Sequence, residues 1–203
     1  RHSFPTRRSS DLAGGVWTYK LNNANGTVQA LAAAATLQDT FTVAAADGTS
    51  QIIKITITGS NDAATITGTA TGAITEDAAI TTAGGTLIVA DVDAGQAILQ
   101  TPASLVGTYG TFTLNTTTGV WGYTIDNTKP EVQRLFAGQQ VTDTLTVQSQ
   151  DGTATQKLTV TITGTNDAAV ISGAITGDVV EAGGVANAIS GTPTATGTLT
   201  SFD

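Results

Sequence analysis

The chain contains no cysteine and no methionine. Without thiols it has no disulfide framework, no thiolate nucleophile and no cysteine-ligated zinc. Its one histidine is His2, and bases are scarce, with eight Lys and Arg against sixteen Asp and Glu for a net charge of −8. Binding to a phosphate backbone needs clustered cations, so nucleic acid is excluded as a partner. No apolar run approaches the ~20 residues of a membrane helix, so no membrane insertion is expected. Aromatic residues make up 5% of the chain, too few to line a substrate cleft. With His and Cys almost absent there is no base and nucleophile to pair. Carboxylates alone could serve glycoside hydrolysis, but that chemistry wants the missing cleft. The expectation is a protein that is not an enzyme.

What the chain does have is repetition. Gly15-Val16-Trp17 returns as Gly119-Val120-Trp121, with Tyr19 returning as Tyr123. Val28-Gln29 returns as Val132-Gln133, Asp39-Thr40 as Asp143-Thr144, and Asp47-Gly48-Thr49 as Asp151-Gly152-Thr153. Asn61-Asp62-Ala63-Ala64 returns as Asn166-Asp167-Ala168-Ala169. The offset is 104 residues up to the Asp-Gly pair and 105 after it, so that hairpin has gained one residue. Tandem copies of one domain supply reach, stiffness or multivalency rather than one active centre. The pattern reads as a piece of a longer array.

The opening residues stand apart. His2 to Leu12 resembles a translated sequencing adaptor and has no counterpart before Trp121. It also lacks the apolar core of a signal peptide. Residues 1–12 are therefore expected to be an artefact without ordered structure. Leaving them out removes the only His and three of the four Arg.

Thr makes up about a fifth of the chain, which favours strands over helices. Residues 141–147, 157–163, 40–43 and 53–57 alternate apolar and polar positions with a period of two, the mark of half-buried strands. Asp47-Gly48 and Asp151-Gly152 sit between such runs as hairpin turns. A second hairpin is expected over 108–115 and 120–126, with Trp121, Tyr123 and Ile125 on one face. One helical turn is expected near Glu131 to Leu135. Many short strands in about 100 residues predict an all-β fold of tandem Greek-key β-sandwiches, cadherin-like or Ig-like. One repeat is complete, at 64–168. Residues 13–63 form the C-terminal half of a preceding copy, and residues 169–203 open the next. The joints follow strands directly, so they limit relative motion far more than a Gly/Ser linker would.

Carboxylates and amides collect at these joints, an oxygen-only set of the kind calcium takes. Asp91 and Asp93 stand two apart at an expected strand end, on one side and about 6–7 Å from each other. Such a pair repels unless water or a cation lies between. Comparison of the copies matches Glu76 with Glu181, Asp91 with Asp203, and Asn61-Asp62 with Asn166-Asp167. The candidate metal ligands are thus Asn61, Asp62, Glu76, Asp91, Asp93, Asn166, Asp167, Glu181 and Asp203. Asp77 is matched by Ala182, and Asp126 by Asn22, so neither is included. Asp47 and Asp151 are assigned to turn chemistry. Asp39 and Asp143 face inward by alternation and are assigned a structural role, such as binding backbone amides.

These motifs together resemble the VCBS repeat. They comprise Gly107 to Asn115, Gly119-Val120-Trp121 with Tyr123, Asp126-Asn127, Val132-Gln133 and Thr142-Asp143-Thr144. To these are added Asp151-Gly152-Thr153, the run Ile162 to Ala168, Ile74 to Asp77, and Leu87 to Gln96. The resemblance covers nearly everything after Leu12. It implies a bacterial cadherin-like domain of a large secreted RTX-type adhesin, on the surface of or outside a Gram-negative cell, exported by type I secretion and suited to biofilm adhesion. Calcium at the joints is implied by analogy with cadherin, although the cadherin linker carries more acids than either joint here. The expected function is that of a structural spacer whose joints calcium stiffens. Its partners are neighbouring repeats of the same chain, with polysaccharide or host and abiotic surfaces reached through other domains. The alternative is a calcium-dependent, lectin-like carbohydrate module, which would need an exposed aromatic beside the ion; Tyr109 is the candidate.

Overall fold

The computed structural model describes residues 15–45, 47–183, 185–187 and 189–202. The adaptor-like segment and Asp203 lie outside the described residues. Eleven strands are present among the described residues: β1 (Thr36–Ala44), β2 (Ser50–Thr58), β3 (Thr65–Gly68), β4 (Thr71–Thr75), β5 (Thr82–Ala90), β6 (Gly110–Leu114), β7 (Val120–Ile125), β8 (Gln140–Gln148), β9 (Thr155–Thr163), β10 (Val170–Gly173) and β11 (Leu199–Phe202). Two single helical turns, α1 (Gly26–Gln29) and α2 (Pro130–Gln133), precede β1 and β8.

The all-β sandwich expected from the sequence is present. One sheet has the order β3-β5-β7-β6 and the other β4-β9-β8. Alternation fixes the buried faces: Phe112, Trp121 and Tyr123 on one sheet meet Val147, Leu158, Val160 and Ile162 on the other, all with 2% exposure or less. The Phe112 and Tyr123 rings meet edge to face, centroids 4.8 Å apart, a favoured aromatic geometry. Val132 and Leu135, from α2 and the residues after it, close the C-terminal end of the core. The hairpin β8–β9 and its counterpart β1–β2 have the same antiparallel pairing, Gln140 opposite Thr163 and Thr36 opposite Thr58. The extra residue falls in the turn, so neither register slips.

Two local devices set the ends of the sandwich. After β3 the chain leaves the first sheet, crosses over through Thr69 and Ala70, and joins the second as β4, pairing parallel to β9. The Trp121 indole holds this crossover by donating to the Thr69 carbonyl at 2.7 Å. The second device explains the inward acid. Asp143 is 4% exposed and accepts from the Thr108 and Tyr109 amides, both at 2.9 Å, and from the Tyr123 hydroxyl at 2.6 Å. Gly107 belongs to this cradle, because a Cβ there would stand 2.3 Å from an Asp143 oxygen.

Candidate metal site at the joints

Parallel pairing of β4 with β9 decides which joint Glu76 serves. Thr75 stands opposite Thr163, so the next residue reaches the end of the repeat. The Glu76 amide donates to the Thr163 carbonyl at 2.9 Å, and Glu76 Oε2 accepts from the Thr165 amide at 3.1 Å. Glu76 is fully buried, and its Oε1 has no hydrogen-bond partner. Carboxylate oxygens of Glu76, Asp77 and Asp167 lie within 4.8 Å of one another. Burial raises the Glu76 pKa above its ordinary value, opposed by the Thr165 amide, and the Asp167 and Asp77 charges raise it further. Beside this group, Asn166 donates its side-chain amide to the Asp167 carbonyl at 2.7 Å.

The N-terminal end of the same repeat carries a second constellation. Asp91 and Asp93 follow β5 in a turn rather than ending a strand, because the Asp93 amide folds back on Asp91 Oδ1 at 2.8 Å. This corrects the extended spacing expected from the sequence. The Asp62 amide donates to Asp93 Oδ2 at 2.9 Å, and the Ala64 amide to Thr153 Oγ1 at 2.8 Å. Asn61 donates to Asp151 Oδ2 at 3.0 Å and to the Asp62 carbonyl at 2.6 Å. Asp91 Oδ2, Asp93 Oδ1 and Gln96 Oε1 are buried with no partner. Bonds from Asn61, Ser149 and Thr153 hold Asp151 far below the usual carboxylate range.

The sequence candidates therefore divide. Glu76, Asn166 and Asp167 meet at one end, and Asn61, Asp62, Asp91 and Asp93 at the other. Glu181 is exposed and belongs to neither group, and Asp203 lies outside the described residues. Two of the carboxylates were not among the candidates. Asp77 was set aside because its counterpart is Ala182, yet it joins Glu76 and Asp167. Asp151 does perform turn chemistry through Ser149 and Thr153, and it also ties down the joint through Asn61.

An unpaired buried carboxylate oxygen is costly, and each end of the repeat has at least one. A bound cation is one group whose charge would answer that deficit. The donor set consists of carboxylate, amide and peptide oxygens, which suits a hard ion such as calcium and offers nothing to a thiophilic metal.

A β-sandwich with acidic ends and a strand-to-strand joint defines a structural domain of the tandem-repeat type. The sequence pattern of the bacterial cadherin-like domain matches residues 61–164, and the chain belongs to that family. The match agrees with the resemblance to the VCBS repeat. No curated protein matches the chain. Membership makes this an adhesion-type structural repeat, of a fold type that works without a catalytic centre, and points to an extracellular or surface protein. Among the described residues no helix is long and apolar enough to cross a membrane.

Proposed function

We propose that the chain is a spacer segment of a large bacterial surface adhesin, in which calcium at the joints between repeats stiffens the array. In this reading residues 64–168 are one whole repeat, 13–63 belong to the copy before it and 169–203 to the copy after it. The observation that carries the proposal is Glu76 Oε1, fully buried, unpartnered and beside Asp77 and Asp167. Asp91 Oδ2 and Asp93 Oδ1 repeat the same deficit at the other end. Each repeat thus presents the Glu76 group at one end and the Asp91–Asp93 turn at the other. Tandem succession brings one of each to every joint, with Asn166-Asp167 or Asn61-Asp62 between them. Without an ion the carboxylates repel and the joint flexes; with one, ligands from both sides lock it. Weak sites would fill at millimolar extracellular calcium. Secretion by the type I route and the RTX context rest on the VCBS resemblance.

The test is a calcium titration of the chain, followed by melting temperature and small-angle scattering. A higher melt with a longer, narrower shape is expected, and the double variant Asp62→Ala/Asp167→Ala should lose both. A wild-type chain that does not respond at several millimolar calcium would sink the ion, and a double variant that responds fully would sink this ligand assignment.

A carbohydrate module remains the second reading. Tyr109 does not favour it, because that ring packs against the core. Phe136 does, being 69% exposed and lining one hollow with Asn166 and Asp167. A glycan array at fixed calcium tests it, and binding lost in Phe136→Ala would establish it.

A further inference from the structure

We infer that the hollow bounded by Gln133–Phe136 and Thr165–Asp167 is the seat of the following repeat's loop, the counterpart of Asp91 to Gly95. The inference rests on the tandem-spacer reading and adds to it a contact made by peptide groups rather than by an ion.

The first joint supplies the precedent. There the Ala94 amide, next to Asp93, donates to the Ala30 carbonyl at 3.1 Å, and Ala30 caps the helical turn α1 of the preceding unit. That carbonyl sits on a braced platform. The Ala34 amide bonds the Gly59 carbonyl, and the Gly59 amide bonds the Ala35 carbonyl. Gly59 lies so close beneath that a Cβ on it would stand 2.4 Å from the Ala32 oxygen.

The second joint has the same platform, bond for bond. Arg134 caps α2, the Gly138 amide bonds the Gly164 carbonyl, and the Gly164 amide bonds the Gln139 carbonyl. A Cβ on Gly164 would stand 2.6 Å from the Leu135 Cβ and 2.7 Å from the Phe136 oxygen. Among the described residues one platform is seated and its twin is open. The open one forms a hollow of about 150 Å³, with Arg134 and Phe136 where the seated one has Ala30 and Ala32. The loop that fits has the character of Asp91 to Gly95. Its Ala-Gly end is small enough to enter beside the Phe136 ring and to bring its alanine amide to the Arg134 carbonyl, as Ala94 meets Ala30. Burying an exposed ring is also the usual way a surface of this kind gains stability.

Asp203 is the counterpart of Asp91, so residues 92–168 appended after it would give the third copy its own loop. In that lengthened chain the amide of the new loop's alanine should exchange with solvent as slowly as the Ala94 amide, to within a few-fold, both in calcium and in chelator. The chain has no cysteine, so thiol crosslinking gives a second readout. Arg134→Cys with Ala94→Cys in the appended copy should crosslink as fast as Ala30→Cys with the original Ala94→Cys. Exchange at the rate of an unstructured amide, or glycan stacking on Phe136 in the lengthened chain, would overturn the seat. A protected amide in a chain whose shape ignores calcium leaves the seat standing and removes the ion. Calcium-driven extension with an unprotected amide does the reverse.

Discussion

Residues 15–58 and 119–163 repeat one pattern, yet the same side chains meet different surroundings. Trp121 is 2% exposed and Trp17 is 42% exposed, although Trp17 still meets Phe41 edge to face at 5.9 Å. Tyr123 reaches Asp143 at 2.6 Å, whereas Tyr19 reaches Asp39 at 3.1 Å. Burial first, then Asp143's bond and charge, push the Tyr123 pKa up; burial and Asp39 raise Tyr19 as well. Among the described residues β1 and β2 pair only with each other, whereas β9 lies between β4 and β8. Strand, turn and register are therefore local properties that both copies share. Burial depends on the opposing sheet, which here covers only one of them.

Trp121→Ala removes a fully buried indole and its bond to the crossover, so denaturant unfolding should show a loss of about 3–5 kcal/mol. Trp17→Ala should cost about 1 kcal/mol or less. Equal losses would mean that the two copies are equally packed in solution. Next comes the inward acid. Asp143→Ala leaves two amides and a hydroxyl without their acceptor, and the same unfolding assay should register about 3 kcal/mol. Asp39→Ala, at a half-exposed site with fewer partners, should cost about 1 kcal/mol.

The third test concerns Glu76. Its folded pKa is raised, so between the unfolded and folded values the native state holds more protons than the unfolded one. Stability then falls as pH rises through that window, and the penalty is fully present above the folded pKa. In chelator at pH 7, Glu76→Gln should therefore melt at or above the wild type. The gap should close as pH drops below the unperturbed value of about 4.3. With calcium the order should reverse, because the amide supplies less charge to the ion. A variant that melts lower in chelator at pH 7 would show that the carboxylate is already compensated. The smallest effect is at the first joint. Asp151→Ala should leave the melting temperature almost unchanged while the Ala64 amide exchanges several-fold faster, measured by hydrogen exchange.

How much of this was legible in the sequence follows the same division between local and distant. The hairpins, their one-residue insertion, the buried face of Trp121, Tyr123 and Ile125, and the helical turn at α2 are short-range patterns, and the chain displays them. Inward-facing Asp143 was legible from alternation, but its partners at Thr108 and Tyr109 come from a loop 35 and 34 residues away. The joint carboxylates were legible as a composition, not as two constellations. What sorts them is the crossover after Gly68 and the pairing of β4 with β9, and neither leaves a periodic trace. Asp77 was lost to the comparison of copies, since Ala182 stands in its place. Asp91 and Asp93 were placed correctly in the chain, but a side chain capping its neighbour's amide turned a presumed strand end into a turn.

The parallel pairing of β4 with β9 also bears on how the repeat would answer to tension along the chain. The exit strand β9 and β4, which follows the entry strand β3 after the crossover, run side by side in the same direction, with five register pairs from Thr71–Thr159 to Thr75–Thr163. Tension applied to the two ends of the repeat draws these strands past each other along their common axis. Every bond between them is then loaded together, instead of opening one after another as in a zipper. The strand that delivers Glu76 to the end of the repeat would thus also act as a shear clamp.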